Sequence, residues 1–210
     1  VPGKSFGKKK VDRYDSDIHW VDTWLGFLLG YLEMKPWFEN TVIVVVADHG
    51  EEFKEHGKGF HGHQIYQESI WVPLILKVPG MEPQEVESRV ALVDLFPTLL
   101  DITGIDHPRE QLQGVSLLRP AALPGRGEDR PVFSMLADRE RKPTYRCKAI
   151  LSGNHKLIRD LTNGVEEFYD LSADPGEKDD LAAHFLPEHE KLRRILRSFL
   201  KDSHPSWKMY

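Results

Sequence analysis

The tripeptide Asp48-His49-Gly50 has the residue types of a cation site. A carboxylate attracts the ion by charge and a neutral imidazole offers a ring nitrogen, so both can reach one metal. Gly50 lets the backbone turn away tightly behind them. The plainer reading is a loop start in which Asp48 caps the next turn. Downstream, His56, His61 and His63 lie in a Gly-rich stretch with Lys54 and Lys58. A histidine there could protonate a leaving oxygen, and a lysine could neutralise developing negative charge. Taken singly, each is equally a solvated loop residue. Glu51, Glu52 and Glu55 are expected to be exposed or paired with the lysines. Two other arrangements remain open: a carboxylate pair for glycoside cleavage, and a zinc site built from His49, His61 and His63. The chain has no Walker loop, and Gly57-Lys58-Gly59 is too short to cradle a phosphate.

The elements that must position these residues are legible from apolar spacing. Tyr14, Ile18, Val21, Leu25, Leu28, Leu29 and Leu32 recur every three or four residues and predict a helix that Pro36 ends. Trp20, Trp24 and Trp37 near it are expected to pack. Val42 to Ala47 is a β-branched run without alternation, which predicts a strand buried on both faces, as in a parallel sheet. Asp48 and His49 then emerge at its C-terminal end, where open α/β sheets bind ligands. Val72 to Val78 predicts a second strand, with Pro73 near its start. Val90 to Ile102 is helical in period, with Pro97 opening the helix and Gly104 stopping it. Asp94 and Asp101 there are expected to be caps or surface residues. Residues 105–130 read as a long surface connection. Short strands follow at Val132–Leu136, Cys147–Leu151 and Lys156–Ile158, with a turn at Gly153-Asn154, a further strand near Phe168–Leu171, and an amphipathic helix from Pro187 to Leu200. The fold class is therefore α/β: a mostly parallel central sheet flanked by helices, then a small C-terminal antiparallel sheet and helix. The expected division is 1–130 and 131–210.

Composition bounds the function. The 210 residues are 40% hydrophobic and 29% charged, with a net charge of −5. A mild acidic balance gives no reason to expect nucleic acid as a partner. The longest apolar run is too short to span a bilayer. The single cysteine, Cys147, has neither a disulfide partner nor a CxxC neighbour and is expected to be an ordinary packed residue.

Order and spacing over residues 14–181 resemble the C-terminal half of sulfatases of the alkaline-phosphatase superfamily. The carrying segments are the first helix, Asn40-Thr41-Val42-Ile43-Val44, Asp48-His49-Gly50-Glu51, Val72-Pro73-Leu74-Ile75 and Val93-Asp94-Leu95-Phe96-Pro97-Thr98-Leu99-Leu100. They continue with Gly114-Val115-Ser116-Leu117, Lys156-Leu157-Ile158 and Tyr169-Asp170-Leu171, then Asp174-Pro175-Gly176-Glu177 and Asp180-Leu181. The resemblance implies that Asp48 and His49 are two ligands of a divalent cation, calcium or manganese. It implies that His61 contacts the sulfate and the leaving oxygen, with His63 its rival and Lys58 and His56 weaker candidates. It further implies a sulfated small molecule or glycan as substrate, and a periplasmic or extracellular location. Sulfatases use a formylglycine made from the Cys or Ser of a CxPxR-type motif. Cys147 is followed by Lys148-Ala149-Ile150 and does not match. The motif, two more metal aspartates, an arginine and a histidine are expected before Val1, and the chain alone is expected to be inactive. Phosphonate or phosphate ester hydrolases, phosphoglycerol transferases and a non-catalytic module of the same fold are the alternatives.

Overall fold

The structure is a computed structural model that describes residues 6–108, 111–118, 130–137, 145–184 and 186–202. The chain forms two compact units. The first comprises residues 1–47, 52–60 and 73–84, and the second 48–51, 61–72 and 85–210.

In the first unit, helix α1 (Lys10–Glu33) forms where the apolar spacing predicts and stops short of Pro36. Its start is tied by the Asp12 carboxylate, which accepts the Lys9 N–H at 2.9 Å. No residue of α1 is buried. Trp20, Trp24 and Trp37, expected to pack, are each about half exposed. The valine-rich run becomes strand β1 (Ile43–Val46). Two short strands follow, β2 (Glu52–Phe53) and β3 (Gly59–Phe60), paired antiparallel. They fall in a stretch read as loop, and at two residues each they are too short to show a period. Strand β4 (Leu74–Lys77) pairs with β1 in the register Ile43↔Lys77 to Val46↔Leu74.

The β1–β4 pairing is antiparallel, not the parallel arrangement expected. β1 is also half-buried to exposed, not covered on both faces. An antiparallel pair can leave one face in water, and among the described residues these are the sheet's two strands. Lys77 closes the pair locally. Its ammonium donates to the carbonyls of Phe38 at 3.1 Å and Thr41 at 3.2 Å.

The second unit holds α2 (Gln67–Ile70), α3 (Leu95–Thr103), a four-stranded sheet and α4 (Pro187–Asp202). Pro97 sits inside the first turn of α3 rather than opening it, a place where its missing N–H has no helical partner to lose. Gly104 ends the helix in the left-handed region at φ 67°. Asp94, expected as a cap or surface residue, is a fully buried one. It accepts the N–H groups of Ala91 and Val115 at 2.8 and 2.9 Å and pairs with Arg130. Of the expected connection 105–130, parts lie outside the described residues.

The sheet is an antiparallel meander of β5 (Val132–Ala137), β6 (Tyr145–Ser152), β7 (His155–Asp160) and β8 (Glu166–Asp170). Gly153 makes the β6–β7 turn at φ 55°. Alternation gives the sheet two apolar faces. Ile150, Leu157 and Phe168 are register partners on one face and bury Leu192 and Leu196 of α4. Ala149, Ile158 and Tyr169 lie on the other, against Ile65, Tyr66 and Ile70. Cys147 is half-buried there, and burial pushes its thiol up, which removes nucleophilic character.

The second face carries polar groups deep in the packing. Tyr66 and Tyr169 both donate their hydroxyls to the Glu167 carboxylate, at 2.7 and 2.9 Å. Burial first, and the adjoining Glu167 next, push both phenols well above the usual tyrosine range. A pKa raised on folding stabilises fully below the unfolded value of about 10 and is lost as pH climbs past it. An alkaline titration followed at the tyrosinate absorbance should therefore show two of the six tyrosines ionising only as the fold is lost. Ordinary ionisation of all six before unfolding would refute this packing.

Candidate functional site

The site lies in the second unit, where the turn after β1 meets the segment before α2. Gly50 N–H donates to the Ser69 carbonyl at 2.8 Å, which seats the turn on the backbone of α2. The approach is so close that a β-carbon at residue 50 would collide with the Glu68 carbonyl oxygen. Glycine is required here by space.

Two side chains leave this turn together. The Asp48 side chain is 89% exposed, and its Oδ2 lies 3.7 Å from His49 Nε2. His49 Nδ1 lies 2.8 Å from the Gly50 carbonyl oxygen. A carbonyl only accepts, so Nδ1 carries the proton and Nε2 presents its lone pair beside the Asp48 oxygen. Two donors 3.7 Å apart can share one cation at roughly 2.0–2.6 Å from each. The chemistry and spacing thus fit a divalent metal held by a carboxylate and an imidazole. Among the described residues no group of three or more His, Cys, Asp or Glu could hold a metal ion, so these two donors make a partial set.

His61 joins them. Its ring lies over that of His49 with centroids 4.3 Å apart. Its Nδ1 is 3.1 Å from Glu51 Oε2, and the Glu51 side chain is only 20% exposed. The carboxylate accepts from Nδ1, which turns Nε2 outward, on the side of the ring away from Glu51. Glu51, expected to be exposed or lysine-paired, is instead the residue that orients this histidine. The available signal was its place directly after Asp48-His49-Gly50, which puts a carboxylate in the loop that His61 returns to.

His63 is exposed. Lys58, exposed just before β3, and His56, half-buried between β2 and β3, belong to the first unit. The zinc trio of His49, His61 and His63 is not formed among the described residues.

Gly50→Ala should lower stability by about 1–3 kcal/mol, because the new methyl forces the turn off α2. Gly59→Ala is the control, since its β-carbon would lie at an ordinary 3.8 Å from the Glu52 carbonyl. Thermal unfolding of both variants checks this, and equal midpoints would contradict it.

Comparison with known proteins bears on the family and the fold. The sulfatase family model matches residues 2–105, and the model described as N-sulphoglucosamine sulphohydrolase, C-terminal, matches residues 54–205. Bovine arylsulfatase K is 30% identical over 188 residues, covering 86% of this chain and 34% of the bovine protein. A Δ4,5-hexuronate-2-O-sulfatase of Bacteroides thetaiotaomicron is 30% identical over 180 residues, 83% of this chain and 37% of its own length. A crystal structure of a sulfatase from the same bacterium superposes with a TM-score of 0.73 at 27% identity, over 94% of this chain and 42% of that one. The chain thus spans about a third of the length of the curated relatives it matches. Two family models in sequence order, together with this fold, establish that the chain belongs to the sulfatase family.

Proposed function

We propose that this chain forms the C-terminal part of a metal-dependent sulfuric ester hydrolase, and that Asp48, His49 and His61 are its share of the active site. The observation that carries the reading is the convergence of His49 Nε2 and Asp48 Oδ2 at 3.7 Å, with the His61 ring 4.3 Å from that of His49 and tilted 32° to it. A bound divalent cation, calcium or manganese, would supply charge withdrawal from the sulfate oxygens. Asp48 and His49 hold it. His61, oriented by Glu51, protonates the alcohol oxygen as it leaves, so that no alkoxide is released. The nucleophile in this reading is a formylglycine, and no CxPxR-type motif occurs around the single cysteine of these 210 residues. Cys147, half-buried with its thiol pushed up, is not a substitute for it.

The state of α1 supports the same reading. A 24-residue helix with no buried residue and exposed Ile18, Trp20, Val21, Trp24, Phe27, Leu28 and Tyr31 is the sequence of an interior helix. Contiguous apolar surface of this kind marks an interface. We take it as the face on which the remainder of a sulfatase domain packs. The 210-residue chain by itself is then inactive. Sulfated sugars are the favoured substrate class, since one relative is a hexuronate-2-O-sulfatase.

In the full-length protein, Asp48→Ala or His49→Ala should cut sulfate ester turnover by roughly 100-fold or more. A chelator should abolish the parent activity, and added calcium or manganese should restore it. Unchanged turnover of Asp48→Ala, measured with 4-nitrophenyl sulfate, would sink the catalytic assignment.

His61→Ala separates metal binding from proton transfer. A nitrophenolate leaves readily without a proton, whereas a sugar alkoxide does not. The loss should therefore be about 100-fold or more on a sugar sulfate and much smaller on 4-nitrophenyl sulfate. Equal losses on both substrates would assign His61 another role.

A further inference from the structure

Behind the site, on the second face of the sheet, lies an ion pair that the chemistry does not use. Lys156 Nζ and Glu177 Oε1 are 2.6 Å apart, and both side chains are fully buried. Lys156 is on β7, opposite Tyr169 in the register. It therefore faces the same side as Ala149 and Ile158, toward the segment that precedes α2. Glu177 comes from the turn after β8. That turn is closed by Asp174, whose carboxylate accepts the N–H groups of Lys178 and Asp179 at 2.6 and 2.8 Å.

The other oxygen of Glu177 reaches further. Its Oε2 accepts the backbone N–H of Gln67, the first residue of α2, at 2.6 Å. The opening N–H groups of a helix have no partner within it, and a carboxylate is the favoured acceptor. Glu177 adopts φ 53°, a conformation that a residue with a β-carbon rarely takes. Backbone strain of this kind persists only where the surrounding structure holds it, and it concentrates near functional sites. From Gln67 the contact runs on through α2. Ser69 accepts the Gly50 N–H, and Gly50 in turn accepts from His49 Nδ1.

We infer that Glu177, locked by Lys156, is a positioning residue for the site: it holds the start of α2, and through α2 it sets where Asp48 and His49 stand. The inference rests on the proposed sulfatase reading for its effect on turnover, and on the structure alone for its effect on the loop.

Paired substitutions in the full-length protein test it. Lys156→Met/Glu177→Leu replaces the buried pair by apolar side chains, an exchange that is neutral or stabilising in other proteins. It leaves the Gln67 N–H without its acceptor. Lys156→Met/Glu177→Gln also removes both charges but keeps a carbonyl for that N–H. Gln67→Pro removes the donor from the other side, at a first helical position that tolerates proline. The readouts are the thermal midpoint, hydrogen exchange in peptides covering residues 48–52, and kcat and KM for 4-nitrophenyl sulfate with saturating calcium.

A positioning role predicts that the Leu double variant and Gln67→Pro still fold cooperatively, exchange faster at 48–52, and lose about 100-fold in kcat with little change in KM. The Gln double variant should exchange like the parent and turn over within about threefold of it. A Leu variant with parent exchange and turnover would overturn the inference, as would a Gln variant no better than Leu. Should the Leu variant not fold, Gln67→Pro decides alone, and parent behaviour there overturns it. Should the parent cleave no sulfate ester, the functional reading fails, and the exchange rates at 48–52 still decide the role of Glu177.

Discussion

The second unit is organised by a sheet that must cover two apolar faces. Strict alternation along β6, β7 and β8 sends Ile150, Leu157 and Phe168 one way and Ala149, Ile158 and Tyr169 the other. Helix α4 fills the first face. The second is filled by Ile65, Tyr66 and Ile70, which belong to the segment carrying His61. Burying that face therefore brings the histidine loop onto the C-terminal sheet. The polar groups that come with it are satisfied by the Glu167 carboxylate and the Lys156–Glu177 pair. Leaving either member of such a pair unpartnered costs about 3–5 kcal/mol, so the docking geometry is tightly specified.

The site inherits its order from that docking. Gly50 rests on α2 with no room for a side chain, and its carbonyl fixes the His49 tautomer. Glu51 does the same for His61 from the other side. Each imidazole thus has one nitrogen committed to the protein and one left for chemistry. The two histidines are held by different partners, a carbonyl for His49 and a carboxylate for His61.

The first unit has the opposite character. Its helix is apolar over much of its circumference yet buries none of its residues, and β1 and β4 are partly exposed. Solvated apolar surface on this scale is unfavourable by about 25 cal/mol per Å². The relatives are roughly three times as long as the matched region.

The amino-acid sequence by itself determined the local elements and the chemistry-bearing tripeptide. Apolar spacing marks α1, α3 and α4, Gly104 and Gly153 mark where the chain must turn, and the valine-rich run marks β1, because all of these are governed by contacts within a few residues. It also determined that Asp48 and His49 leave one strand end side by side. Tertiary structure alone decided that β1 and β4 pair antiparallel, since a short β-branched run is compatible with either pairing. It alone set the His61 ring 4.3 Å from that of His49 and brought Glu51 to it, because which way the folded backbone turns each polar residue of a loop is not written in its local sequence. The Lys156–Glu177 pair was illegible for the same reason. Lys and Glu 21 positions apart read as surface charges until the sheet register and the turn at Asp174 bury them against each other.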